Sequence, residues 1–190
     1  IVRRDFIQRV VNILSAHPEV GIMGVLGTDG FVQNASYWDY WDLGQVYAFT
    51  VKEGYELYLS KGGVDEIIYG EALDGMLLIT QYDIKWREDI FQEWDFYDVS
   101  QCFEFRKNGY NVAIMCEEEI SCLHDCGYSK MARYDYNREI FTKEYAEFGF
   151  EYSAICLEVM PEELQILVNE FLQSLDAISN NFCEFSFKSF

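Results

Sequence analysis

The sequence predicts an α/β fold with a mainly parallel or mixed sheet flanked by helices. Two observations carry this. Short apolar runs alternate along the chain with segments of helical period, the pattern of strands joined by helices. The chain has 190 residues, half of them hydrophobic and 17% aromatic, so it can bury a full core without disulfide or metal staples.

Asp5 is placed to cap a first helix, in which Phe6, Ile7, Val10, Val11 and Leu14 recur at helical spacing. His17-Pro18 ends it, because a residue before proline avoids helical backbone. Val20 to Leu26 reads as a buried strand, and Thr28-Asp29-Gly30 as a turn. Asn34 to Leu43, with two Trp and two Tyr among Asp residues, has neither period and reads as a loop. Val46 to Val51, Val64 to Tyr69 and Met76 to Thr80 read as strands, the last following Asp74-Gly75. Gln81 to Asp95 reads as a loop with one helical turn.

Asp98 is placed to cap a helix with Val99, Cys102, Phe103 and Arg106 on one face, stopped by Gly109. A strand over Tyr110 to Met115 follows, then a helix over 129–147. Pro161, followed by two glutamates, opens a helix with the apolar stripe Leu164, Leu167, Val168, Phe171, Leu172, Leu175 and Ile178. Phe185 and Phe187 alternate in the tail. These segments divide into 1–150 and a C-terminal helix and tail over 151–190.

The formal charge of −19 argues against broad binding to nucleic acid or anionic membranes, which need clustered Lys and Arg. The longest apolar runs fall far short of the ~20 residues of a membrane helix. Six cysteines in a chain with an adequate core read as free thiols in a reducing, cytoplasmic compartment. The motifs of P-loop nucleotide-binding, dinucleotide-binding and α/β-hydrolase proteins are absent.

Four groups of residues are candidates for chemistry. Trp94-Asp95-Phe96-Tyr97-Asp98 precedes a helix, where backbone N–H groups keep a carboxylate ionised. Asp98 is then either an ordinary cap or a rigidly held general base. His124 stands between Cys122 and Cys126, a spacing that suits structural zinc poorly but leaves the imidazole as a single metal or phosphate ligand. Lys130, Arg133, Arg138 and Lys143 form the densest cationic run, either a solvated helix face or a clamp for a diphosphate. Trp38, Trp41, Trp86 and Trp94 stand beside charged residues, as in a core or beneath a sugar.

Seven segments in order then carry a resemblance: GIMGV at Gly21, LDGMLL at Leu73, QYD at Gln81, WRED at Trp86, FYDVS at Phe96, FRKNGY at Phe105 and CLHDCG at Cys122. Over roughly 1–147 the chain resembles the family-2-like glycosyltransferases that include StrF-type and capsule glucosyltransferase proteins. The resemblance implies a partial GT-A fold, Rossmann-like, that transfers a hexose from a nucleotide diphosphate sugar to a saccharide or lipid-linked acceptor with Mn²⁺ or Mg²⁺. It implies Asp98 as catalytic base, with Tyr97 in place of the usual Glu before it. It implies sugar contacts at Asp74, Gly75, Trp86 and Arg87, joined by Trp38 and Asp95, phosphate contacts at Lys130 and Arg133, and His124 as metal ligand. The chain holds no Asp-x-Asp motif. Expected from this is a segment carrying the acceptor side and the base, with the nucleotide-binding half upstream. The competing expectation is a non-catalytic remnant that binds sugar or protein, and either form is compatible with a homo-oligomer.

Overall fold

The apolar run from Val20 sits at the centre of the structure. The computed structural model describes residues 1–30, 41–50, 54–59, 65–92, 94–116, 122–124 and 133–150. All belong to one unit, Ile1–Tyr152. Trp38, Lys130, the stripe beginning at Leu164 and the tail lie outside the described residues.

Helix α1 (Phe6–Ala16) buries Phe6, Val10, Ile13 and Leu14, whereas Ile7 and Val11 are exposed. Asp5 occupies its cap position but makes no side-chain cap, because its carboxylate pairs with Arg3. The single strand expected over Val20 to Leu26 is two: β1 (Val20–Gly24) and β2 (Leu26–Thr28), parted at Val25. Each joins a different sheet.

The remaining elements are β3 (Leu43–Thr50), β4 (Gly54–Leu59), β5 (Ile67–Gly70), β6 (Ala72–Leu73), β7 (Ile79–Thr80), α2 (Tyr97–Lys107), β8 (Asn111–Met115), β9 (Leu123–His124) and α3 (Tyr134–Glu144). One sheet has the order β5-β8-β1-β7. Its central pair, β1 and β8, is parallel, with Met23 opposite Ala113, while β5 and β7 run antiparallel on the flanks. The other has the order β4-β3-β2-β6, with β9 added in parallel beside β3. The fold is thus mixed α/β, as the alternation of elements predicts and as a partial GT-A fold requires. No described helix is long and apolar enough to cross a membrane.

Helix α2 packs against β6, β8 and β1 with Val99, Cys102, Phe103 and Phe105 fully buried. Behind it lies a cluster of rings. Phe103 meets Phe141 edge-on at 5.0 Å and Phe148 at 4.8 Å, and Phe141 lies 5.3 Å from Phe96. Much of the chain's aromatic excess is spent here, fixing α2 and α3 to each other. Gly109, with φ of 82°, ends α2 as its position in the sequence suggests. Cys102, Cys116 and Cys122 are buried.

Candidate active site

The first turn of α2 is built on an unusual backbone. Phe96 is the one non-glycine residue with positive φ among the described residues, at 67°. Holding it there costs on the order of 1–3 kcal/mol, which neighbouring contacts must offset. The Phe96 ring, packed 5.0 Å from Tyr134 and 5.3 Å from Phe141, supplies them. Phe96, rather than Asp98, occupies the cap position, and Asp98 falls inside the first turn. The side chain at 98 therefore points into the protein instead of capping the helix end.

Asp98 is 1% exposed. Its Oδ2 accepts the Gly75 N–H at 2.8 Å, and its Oδ1 accepts the Val99 N–H at 2.8 Å. The helix terminus alone leads one to expect a lowered pKa. The structure reverses that: burial, reinforced by the negative charge of Asp74, outweighs these hydrogen bonds and pushes Asp98 up to about 7. A carboxyl titrating there is poised to exchange a proton near neutral pH.

The segment after β6 is clipped onto this turn at two points. Gly75 gives its N–H to Asp98 and receives a hydrogen bond on its carbonyl from Tyr97 Oη at 3.2 Å. A Cβ at position 75 would collide with Tyr97 Oη, and would lie 2.6 Å from Tyr97 Cζ and 2.9 Å from Asp98 Oδ2. Only glycine allows this approach. Asp74 turns the segment by accepting the Met76 N–H on Oδ1 at 2.9 Å. Burial raises the Asp74 pKa, opposed by that hydrogen bond and by His124. Burial also pushes the Tyr97 phenol up to about 12, helped by Asp98 and Asp74, so it stays protonated and can donate.

In front of Tyr97 opens a cavity of about 260 Å³, lined by Trp86, Arg87, Glu88, Phe91, Tyr97 and Ser100. It lies just below the ~300–1,000 Å³ typical of ligand pockets, a size for one sugar ring. The Trp86 ring stacks on Tyr97 at 6.3 Å, and Trp94 tilts against Tyr97 at 5.7 Å. Arg87 braces the wall. It grips Asp89 with two parallel bonds of 3.0 and 3.1 Å and reaches Glu104 at 3.3 Å and Glu144 at 2.6 Å. Tyr145 Oη donates to the same Glu104 at 2.9 Å. One guanidinium thus ties the Trp86 loop to α2 and α3. Gln101 adds a second tie, its Nε2 donating to the Ile84 carbonyl at 2.8 Å.

The structure brings Asp98, Gly75, Asp74, Trp86 and Arg87 into one neighbourhood around Tyr97. Asp95 is buried in the bend before α2. His124, on β9, is half-buried and close enough to Asp74 for its charge to act on that carboxyl. Arg133 is exposed at the start of α3, its guanidinium 4.5 Å from the Tyr136 ring centre. Trp38 and Lys130 lie outside the described residues. Among the described residues no three His, Cys, Asp or Glu side chains converge on one point. Asp74 and His124, whose charges interact, carry groups able to ligate a divalent ion.

Residues 1–145 match the model of the family described as "Glycosyltransferase like family". The chain belongs to this family. The match spans the first turn of α2, the Gly75 clip and the cavity wall, so all three are parts of a glycosyltransferase-like domain. No curated protein matches the chain. Sugar donors and acceptors are the ligands that membership of this glycosyltransferase-like family implies.

Three residues of the domain's site were not marked by sequence reasoning for the work they do. Tyr97 is the clip and lines the cavity, Gln101 ties down the loop, and Glu88 is a further lining residue. The spacing Tyr97, Ser100, Gln101 places them one helical turn apart, which is the signal available for the first two.

Proposed function

We propose that this domain is the acceptor-side and catalytic-base portion of a nucleotide-sugar-dependent glycosyltransferase. It moves a hexose to a saccharide or lipid-linked acceptor by a single inverting displacement. The observation that supports this most is family membership together with Asp98, held in the first turn of α2 beside a ring-lined cavity with its pKa near neutrality. The acceptor ring lies against Trp86 and Tyr97, and Asp95 and Trp38 are further candidate contacts. Its hydroxyl proton passes to Asp98, the freed oxygen pair forms the bond to the anomeric carbon, and the bond from that carbon to the diphosphate oxygen breaks. The nucleoside diphosphate leaves with that electron pair. Lys130 and Arg133 receive its charge. Mn²⁺ or Mg²⁺, held through His124 and Asp74, would supply further stabilisation of the diphosphate when bound. The setting is bacterial and cytoplasmic, in capsule, polysaccharide or secondary-metabolite synthesis, with a homo-oligomer compatible with the fold.

Asp98 is enclosed, and each oxygen already accepts a backbone N–H. Proton transfer therefore requires the Asp74–Met76 segment to lift. The same enclosure favours a second reading, a non-catalytic module that binds sugar or protein. The two are separated by incubating the protein, with whatever its gene encodes upstream of Ile1, with a panel of nucleotide sugars, acceptors and Mn²⁺, and following nucleoside diphosphate release. Release with one donor, falling about 10²–10⁴-fold in Asp98→Asn, is the expected result. Turnover retained by that variant removes Asp98 from the role of base. Folded protein that releases nothing from any donor supports the binding module.

A further inference from the structure

The 260 Å³ cavity sets three ring-bearing residues, Trp86, Phe91 and Tyr97, together with a single lining carboxylate, Glu88. Arg87, the cation among the lining residues, is consumed. Its guanidinium is shared among Asp89, Glu104 and Glu144, so three carboxylates surround a single positive charge. Lys85 also acts on Asp89, which lowers that carboxyl's pKa further after Arg87 has done so. Glu88 lines the same cavity, is exposed, and among the described residues makes no hydrogen bond or ion pair. A carboxylate without a partner among the described residues, lining a cavity with indole and phenol rings, can form an ion pair with a positively charged group. Ring faces attract cations through their quadrupole, and the carboxylate supplies the counter-charge. The −19 charge of the whole chain draws such a ligand in and repels anionic sugars.

We propose that the saccharide held in this cavity carries a protonated amino group, seated against Trp86 and Tyr97 and paired with Glu88. The inference rests on the transferase reading and narrows its acceptor to saccharides with a free ammonium. Sugar hydroxyls still lie toward Ser100 and Tyr97, and the hydroxyl to be glycosylated lies toward Asp98. N-acetylation of the amine would remove the charge and add bulk, so the free and acetylated forms are distinguished.

The test is titration of the full chain, by calorimetry or ligand-observed NMR at low salt and pH 7. The probes are methyl glucosaminide, its N-acetyl derivative and methyl glucoside. The expected result is binding of the ammonium form about fivefold to tenfold tighter than the other two, the size of a cation–π contact plus an exposed ion pair. That preference falls at 0.5 M salt and shrinks to about twofold to fivefold, the cation–π share alone, in Glu88→Gln, a surface change that leaves the circular dichroism spectrum intact. Trp86→Leu weakens all three probes. Equal or tighter binding of the acetylated or neutral glycoside, a preference undiminished in Glu88→Gln, or no binding of any probe would overturn the proposal. Nucleoside diphosphate release from the donor panel is measured beside it, in the same preparation as the transferase test above. An active transferase with a neutral acceptor sinks the amine inference alone. An inactive protein that keeps the ammonium preference sinks the transferase reading alone.

Discussion

Replacing Gly75 by alanine tests whether the clip between the Asp74–Met76 segment and α2 is as tight as described. The new Cβ would meet Tyr97 Oη and Cζ and lie 2.9 Å from Asp98 Oδ2. None of these atoms can yield easily. The phenol is wedged by Trp86 and Trp94, and the carboxyl is enclosed. The segment must move away, which breaks the Gly75–Asp98 and Tyr97–Gly75 hydrogen bonds. A bond to a charged acceptor is worth ~1.5–3 kcal/mol and a neutral one ~0.5–1.5 kcal/mol. Enclosure denies water to Asp98 as a substitute, so the expected loss is about 2–4 kcal/mol. For a unit of this size that is a fall in Tm of roughly 5–15 °C. Thermal melts by circular dichroism measure it. In a Tyr97→Leu background the main obstruction is gone and one of the two bonds is already lost, so the added cost of Gly75→Ala should drop to about 1–2 kcal/mol. An unchanged Tm, or an equal cost in both backgrounds, would refute the reasoning.

The raised pKa of Asp98 fixes the sign of a pH effect. Because the folded state holds the proton more tightly, this group's stabilisation is complete below about pH 4 and is lost as pH rises through about 7. Measured by urea denaturation, the wild type should weaken relative to Asp98→Asn between pH 5 and 7, by at most about 1.4 kcal/mol per pH unit, and a difference that ignores pH would rule out the shift. In a transferase assay the same group makes the rate climb with pH toward about 7 and then level, and Asp98→Asn should abolish that limb. Arg87→Gln leaves Glu104 and Glu144 without their guanidinium and should cost about 1–3 kcal/mol in denaturant unfolding. Arg87→Lys should recover only part of this, since an ammonium cannot reproduce the paired bonds to Asp89.

Much of the architecture is readable from local pattern, and the failures have physical causes. Helix α1 shows its period, and β1 and β8 are long enough to appear as apolar runs. Strands β6 and β9 have two residues each, too few for any period, and exist because β2 and β3 offer them hydrogen-bonding partners. The parting at Val25 is invisible because both halves of the run are equally apolar. Helix α2 buries residues on most of its circumference, so it lacks a clear stripe and is marked mainly by its flanks. At the site, residue types point to Asp98, Gly75 and Trp86. The charge state of Asp98 does not follow, since it depends on burial and on Asp74, 24 residues away in sequence. Nor does the sharing of Arg87 among carboxylates, two of which are 17 and 57 residues distant.

The nine residues from Val20 to Thr28 give their first five to one sheet and their last three to the other. With a link one residue long, displacement of one strand strains the pairing of the other, so the covalent chain at Val25 couples the two sheets. The hydrogen-bonded amides of β1 and β2 should share one opening free energy in amide exchange, a single foldon that includes the strand beside which α2 lies.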